Sequence, residues 1–120
     1  SIGAIEGDRA KIAAESSARW EKIVVLKGAH TVVASPMGNV TINPFPNPGL
    51  ASAGTGDVLA GIIAGLLAQG LDMEVAAPLG VYIHSNAGEL VREQIGCTGM
   101  SASDVLEKIP LAIKFLKDNK

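Results

Sequence analysis

The pattern of apolar and polar positions predicts one helix near the start of the chain and three in its second half. Residues 8–20 read DRAKIAAESSARW, in which Ile and Ala recur between charged side chains as on a helix. Asp8 stands at the start of this segment, where a carboxylate interacts favourably with the helix dipole. Residues 55–69, 73–94 and 101–117 are also typical of helices.

Single residues mark the ends and interruptions of these helices. Gly70 follows the second predicted helix and is typical of a helix C-terminus. Ser101 and Asp104 have the spacing of an N-cap followed by an acidic residue three positions later. Pro110 lies inside the last predicted helix and predicts a kink or a break there, because proline lacks a backbone N–H.

Three short apolar segments predict strands between the first and second helices. Residues 23–26 (IVVL) are entirely apolar and mostly β-branched, which is typical of a buried strand in a parallel sheet. Residues 31–35 and 39–43 predict two more strands, joined by a turn at residues 36–38. Residues 44–49 (PFPNPG) contain three prolines and predict a loop.

The composition indicates an α/β protein with an interior of small and aliphatic side chains. Apolar residues make up 48% of the 120 residues and aromatic residues only 3%. This composition suits a sheet packed against helices. Three short strands are too few for a complete sheet of this kind. We therefore expect the chain to be the C-terminal portion of a larger α/β domain, or to pair with another chain.

Charge, hydropathy and cysteine content argue against several classes of protein. The net charge is −2 and no basic block occurs, so we expect no nucleic-acid partner. The apolar stretch after Asp57 is interrupted by glycines and the N-terminal residues lack a signal-peptide pattern, so no membrane association is predicted. Cys97 is the only cysteine, which excludes an intrachain disulfide and agrees with a cytoplasmic location.

The sequence AGTGD of residues 53–57 is the clearest indication of chemistry. It precedes a predicted helix, and the first turn of a helix presents backbone N–H groups that bind anions. Gly54 and Gly56 would allow close approach of a phosphate. The carboxylate of Asp57 would repel that phosphate, unless it serves as the base for an attacking hydroxyl. The alternative is that Asp57 only caps the helix and that the glycines form a turn.

Other well-known motifs are missing from the sequence. No G-x-x-x-x-G-K-[ST] phosphate loop occurs, and no G-x-G-x-x-G follows a strand. His30 and His84 are far apart and have no neighbouring ligands, so we predict no metal site formed by the protein alone. No G-x-S-x-G elbow supports a serine hydrolase.

Three segments, in this order, resemble a single family. VVLKGAHTVVAS (residues 24–35), NPGLASAGTGDVLAGIIAGLLAQG (47–70) and AAPLGVYIHSNAGELV (76–91) are similar to the C-terminal part of the ADP- or ATP-dependent NAD(P)H-hydrate dehydratases of the ribokinase-like superfamily. The resemblance implies a doubly wound sheet with helices on both faces. It also implies that residues 1–120 are the C-terminal portion of a single ribokinase-like domain.

The resemblance implies an enzyme that repairs damaged nicotinamide cofactors. NADHX and NADPHX carry a water added across a ring double bond. The family enzymes, which are lyases, remove it at the expense of ADP or ATP, with Mg²⁺. The implied mechanism is phosphorylation of the substrate hydroxyl followed by loss of phosphate. A homo-oligomer, commonly a tetramer, is also implied.

The resemblance further implies the roles of particular residues. Gly56 contacts the nucleotide, and the amides of Gly54 to Gly56 stabilise the charge on the transferring group. Asp57 contacts the hydrated nicotinamide and accepts the hydroxyl proton. The implied adenine nucleotide site is formed by Lys27, Gly28, Ala29, His30 and Thr31.

Some residues depart from this pattern or are left outside the implied site. The family usually has Thr-Gly before Asn-Pro, whereas residues 44–49 read PFPNPG, so we expect a different local loop shape. His84 and Asn86 are interpreted as residues of helix packing. Gly80 and Gly88 are expected to allow close packing of the same helix.

Two other functions remain open on the sequence alone. The same fold serves small-molecule kinases, in which Asp57 would activate an alcohol of a sugar or vitamin precursor without any elimination. A non-catalytic module that binds nucleotides or mediates assembly is the other alternative. Binding of adenine nucleotide without turnover would distinguish it.

Overall fold

One helix is followed by three strands and then three helices, in the order α1-β1-β2-β3-α2-α3-α4. The computed structural model describes residues 2–28, 30–45, 55–96 and 101–118. The helices are α1 (Ile2–Trp20), α2 (Thr55–Ala68), α3 (Met73–Ile95) and α4 (Ala102–Asp118). The strands are β1 (Val24–Leu26), β2 (Val32–Ala34) and β3 (Val40–Ile42). All seven were predicted. In the part of the chain described, no helix is long and apolar enough to cross a membrane.

The strands pair differently from the prediction. The described strands form one sheet in the order β1-β2-β3, and both pairings are antiparallel, with Val25 opposite Val33. The side chains of β1 are half-buried. The prediction of a buried parallel strand at residues 23–26 is therefore wrong for the pairing seen here. The connections from β1 to β2 and from β2 to β3 have only five residues each. A parallel pair would need a crossover of about a dozen or more.

Helices cover both faces of this sheet, as the resemblance implied. Val32 and Ala34 of β2 pack with Ala13 of α1 in one apolar cluster. Val33, between them, packs with Leu59 of α2 in a second cluster on the opposite face. Successive side chains of a strand point to opposite faces, so a strand of three residues joins both cores.

Helices α2, α3 and α4 share a third apolar cluster. Its buried members are Ile83, Ala87, Val91, Val105 and Ala112. Gly80 brings α2 and α3 close together, because a Cβ atom at this position would stand 2.6 Å from Cγ1 of Ile63. The close packing predicted at Gly80 is confirmed.

The signals at Gly70 and at Ser101 with Asp104 are confirmed, and the predicted break at Pro110 is not. The prediction that Asp8 stands at the start of the first helix is wrong, because α1 begins at Ile2 and has no acidic residue in its first turn. Gly70 has a φ of +95°, and its N–H donates to the carbonyl of Leu67 at 3.0 Å. The N–H of Ser101 donates to Oδ2 of Asp104 at 3.0 Å, and the N–H of Asp104 donates to Oγ of Ser101 at 3.3 Å. Helix α4 continues through Pro110 without a break. Apolar side chains on either side of this proline pack into the third cluster and offset its missing hydrogen bond.

Candidate functional site

The site lies where the end of β1 meets the first turn of α2. Lys27 follows β1 directly, and a Cβ atom built on Gly56 would stand 2.6 Å from Lys27 Nζ. The ammonium group therefore lies against the backbone of Gly56, and a side chain at residue 56 would displace it. Asp57 is the next residue of the helix and is exposed. The structure thus brings together two motifs that are about thirty residues apart in sequence.

The electrostatics of this junction favour an anion. The first turn of a helix presents N–H groups that no carbonyl of the same helix accepts, and it carries the positive end of the helix dipole. The Lys27 ammonium adds a full positive charge at the same place. The exposed carboxylate of Asp57 is the only acidic side chain in the first turn of α2. A phosphate and a carboxylate base can therefore stand side by side here.

The loop after β1 is held from the opposite direction by α1. The guanidinium of Arg9 donates to the carbonyl oxygens of Leu26 at 3.1 Å, Lys27 at 3.2 Å and His30 at 2.8 Å. The same guanidinium occupies the space that a Cβ atom on Gly28 would need. A side chain at residue 28 would therefore displace this guanidinium. No feature of the sequence pattern indicated that Arg9 reaches this loop.

His30 turns its ring towards the protein. Its Nδ1 lies 3.0 Å from the carbonyl oxygen of Asn43. A carbonyl only accepts hydrogen bonds, so Nδ1 is the donor in this contact. Thr31 contributes its carbonyl oxygen, which accepts the N–H of Asn43 at 2.8 Å. His30 and Thr31 are thus both fixed by the end of β3.

Asn43 belongs to this junction but was not among the predicted site residues. Its side chain is 4% exposed, and Nδ2 donates to Oγ of Ser85 on α3 at 2.6 Å. Its Oδ1 has no hydrogen-bond partner among the described residues. The signal that could have found it is an asparagine that ends a strand directly before the proline-rich loop.

His84 lies beneath the first turn of α2. Its side chain is 6% exposed, and Nε2 has no partner within the described segments. Burial lowers the pKa of His84 from its ordinary value of 6.5, and the positive charge of Lys27 lowers it further. A hydrogen bond to the backbone of Thr55 acts in the opposite direction. His84 was interpreted as a packing residue; the structure places it against the residue that precedes Gly56.

This environment predicts that acid destabilises the protein through His84. The folded state holds the imidazole neutral below its ordinary pKa of 6.5, so the unfolded chain binds the proton more readily. The free energy of unfolding should not be reduced by His84 above about pH 6.5. Below that pH it should fall by up to about 1.4 kcal/mol per pH unit for one proton. Urea titrations at several pH values measure this slope. In His84→Gln the slope between roughly pH 5 and 6.5 should be smaller; an unchanged slope would contradict the assignment.

Some predicted residues lie outside the described part of the chain. These are Ala29 in the loop after β1 and Gly54 ahead of α2, together with most of the proline-rich loop. The predicted site residues that lie in the described part of the chain are Lys27, Gly28, His30, Thr31, Gly56 and Asp57.

The fold and this junction together define a class of protein. The chain is similar to a ribokinase-like superfamily protein from Enterococcus faecalis, with a TM-score of 0.75 and 32% identity, over 84% of this chain and 34% of that one. It is also similar to an ADP/ATP-dependent NAD(P)H-hydrate dehydratase from Bacillus subtilis co-crystallised with ATP and Mg²⁺. There the TM-score is 0.85 and the identity 34%, over 92% of this chain and 40% of that one. The chain has the ribokinase-like fold that was expected.

The sequence comparisons identify the family within this class. The family model described as NAD(P)H-hydrate dehydratase matches residues 1–111. A bifunctional NAD(P)H-hydrate repair enzyme from Moorella thermoacetica is 49% identical over 114 residues, which are 95% of this chain and 22% of the relative. The chain belongs to the NAD(P)H-hydrate dehydratase family. It spans about a fifth of the length of that relative.

Proposed function

We propose that the protein containing this chain removes water from NADHX and NADPHX, with ADP or ATP as the phosphoryl donor. The observation that carries the proposal is the junction of Lys27, Gly56 and Asp57, which combines an anion site with an exposed carboxylate. A cation and a helix N-terminus hold phosphate, and the carboxylate beside them can take a proton. Membership of the NAD(P)H-hydrate dehydratase family supports NADHX and NADPHX as the substrates.

The nucleotide is proposed to lie along the loop after β1, against Lys27, Gly28, Ala29, His30 and Thr31. Its phosphates reach the first turn of α2, where Gly56 leaves room for close approach. The Lys27 ammonium, positioned at that turn, would pair with a phosphate oxygen. The amides of Gly54 to Gly56 would stabilise the negative charge that develops on the transferring group.

Asp57 is proposed to act as the general base towards the substrate. Its carboxylate accepts the proton of the ring hydroxyl, and the hydroxyl oxygen forms a bond to the terminal phosphorus of the nucleotide. The bond from that phosphorus to the bridging oxygen breaks, and the shortened nucleotide leaves. The ring C–O bond then breaks as phosphate departs with the electron pair. A proton leaves the neighbouring ring carbon, which restores the double bond of NAD(P)H.

Mg²⁺ fits this site as a partner of the nucleotide. Within the described ranges, no group of three or more His, Cys, Asp or Glu side chains could hold a metal ion by itself. Magnesium commonly keeps several waters and binds through substrate phosphates, so the ion would be held mainly by the nucleotide, beside the anion site at Lys27 and Gly56. When bound, the ion would supply charge neutralisation at the phosphoryl group.

The proposed function is tested by the recovery of NADH. The full-length protein is mixed with purified NADHX, Mg²⁺ and either ADP or ATP, and the absorbance of NADH is followed. We expect recovery only when a nucleotide is present, with release of one phosphate for each NADH formed. Phosphorylation of a sugar or vitamin precursor without recovery of NADH would instead favour the kinase. Nucleotide binding by calorimetry without any turnover would favour the non-catalytic module.

We also propose the domain to which the chain belongs, its oligomeric state and its location in the cell. Residues 1–120 are proposed to be the C-terminal portion of a single domain, which the 40% coverage of the Bacillus subtilis chain supports. A homo-oligomer, for example a tetramer, is supported by the exposed apolar side chains Val40 and Ile42 on β3. Light scattering on the full-length protein measures its mass. A cytoplasmic location is proposed from the single cysteine.

A further inference from the structure

Arg9 lies outside the predicted site and donates hydrogen bonds to the loop after β1. It lies on α1, about twenty residues before the loop, and its guanidinium donates to three backbone carbonyls of that loop. The three acceptors belong to Leu26, Lys27 and His30, at 3.1, 3.2 and 2.8 Å. A planar guanidinium has five N–H donors in a fixed arrangement, so three contacts at once define the shape of the loop.

These contacts also determine where the amides of the loop point. In a planar trans peptide the N–H of one residue points opposite to the carbonyl of the residue before it. The carbonyls of Leu26, Lys27 and His30 point to Arg9. The N–H groups of Lys27, Gly28 and Thr31 are therefore directed away from it. Oriented amides of this kind attract an anion or an electron-rich ligand.

We infer that Arg9 is a positioning residue for the nucleotide: it holds the loop after β1 so that its amides face the ligand rather than α1. The inference rests on the proposed function, because it needs a nucleotide on this loop. Arg9 itself lies on the carbonyl side of the loop and does not take part in the chemistry. Gly28 is the complementary feature, since any side chain there would displace the guanidinium.

The shape of the side chain is expected to matter more than its charge. Lysine at residue 9 would keep the positive charge, but its ammonium is a single point and cannot match three carbonyls held by a planar fork. Arg9→Lys should therefore behave more like Arg9→Ala than like the unchanged protein. A purely electrostatic role for Arg9 would give the opposite order.

The test measures nucleotide affinity and turnover separately in the full-length protein. Calorimetry gives the Kd for ADP and for ATP, and the NADH assay gives KM for the nucleotide and kcat at saturation. We expect Arg9→Ala and Arg9→Lys to raise Kd and KM about tenfold, with kcat changed by less than about twofold. Methylguanidinium added to Arg9→Ala should restore part of the affinity. The control is Arg19→Ala, an exposed arginine on the same helix, which should leave Kd and KM unchanged.

A double-mutant cycle with Gly28 makes the test specific to the loop. Gly28→Ala alone should raise Kd, because the added methyl displaces the guanidinium. In the Arg9→Ala background the same change should cost little more, because the space is already vacant. If Arg9→Ala does not fold, the Arg9→Lys and Gly28→Ala proteins provide the same measurements.

The outcomes separate this inference from the proposed function. Nucleotide that fails to bind even the unchanged protein would contradict the proposed function. Normal binding by the unchanged protein, with the same Kd in Arg9→Ala and Arg9→Lys, would overturn the role of Arg9 alone. Additive effects of Arg9→Ala and Gly28→Ala would also overturn it.

Discussion

Asp57→Asn is expected to lower the turnover of NADHX about a thousandfold while leaving the Kd for ADP or ATP nearly unchanged. Asparagine has the same shape but cannot accept the proton of the substrate hydroxyl. The side chain at residue 57 is exposed, so the change creates no buried defect. Loss of its negative charge also lowers the repulsion of an anion at the proposed phosphate site beside Lys27 and the helix N-terminus. Single-turnover assays and calorimetry on the same preparation measure the two quantities.

Asp104→Asn is the matched control for this experiment. Asp104 also lies in the first turn of a helix, where it accepts hydrogen bonds from Ser101, but it belongs to α4 and has no assigned role in the reaction. Its replacement should weaken the helix cap by about 1 kcal/mol or less and leave turnover unchanged. An equal loss of turnover and nucleotide affinity in Asp57→Asn would show that Asp57 only stabilises the start of α2.

Gly80→Val is expected to lower the free energy of unfolding by about 2–3 kcal/mol. Gly80 is buried where α3 crosses α2, and a Cβ atom there would stand 2.6 Å from Cγ1 and 3.6 Å from Cα of Ile63. The neighbouring atoms belong to the inner part of an isoleucine and to the helix backbone, so they cannot move aside easily. Helix α2 must shift, and it carries Gly56 and Asp57 at its start. Urea denaturation should show the loss, and activity should fall with it.

Two further variants make this prediction specific to the contact. Gly61→Ala adds a methyl to a glycine of α2 with no atom within 4 Å of the new position, and should stabilise the protein by about 0.5–1 kcal/mol. Ile63→Ala in the Gly80→Val background should recover part of the lost stability, because it removes the atoms in conflict. A Gly80→Val protein that unfolds at the same urea concentration as the unchanged protein would contradict this account of the packing.

The sequence pattern located the elements well because their signals are local. Helix α2 was predicted to start at residue 55 because glycines and an acidic residue precede an aliphatic run, and to end near Gly70 because only glycine readily takes its left-handed φ. The reciprocal hydrogen bonds of Ser101 and Asp104 join residues three positions apart, so their spacing was sufficient. The extension of α1 back to Ile2 was missed because Gly3 and Gly7 lower its intrinsic helix propensity.

The sequence predicted those residues of the candidate site that belong to a motif, and it missed the others. The resemblance pointed to the loop after β1 and to the turn before α2, and the structure places Lys27 and Gly56 in contact. Asn43 and Arg9 were not recognised, because each contacts the loop from another element. Asn43 does so through its backbone carbonyl, and the Arg9 side chain donates to a backbone carbonyl of the loop. Such contacts leave no pattern in the side chains of the loop itself. His84 was assigned to packing because helical periodicity cannot show what a buried side chain faces.

The sequence by itself determined the order of the helices and strands, the positions of their caps and the family to which the chain belongs, since each depends on residues close together in the chain or on a contiguous motif. Only the tertiary structure decided the antiparallel pairing of the strands, the burial of His84 beneath Thr55 and the hydrogen bonds from Arg9 to the loop after β1. These features depend on contacts between segments that are far apart in the sequence. Packing and backbone hydrogen bonds bring those segments together in the folded chain, so no local pattern records the contacts.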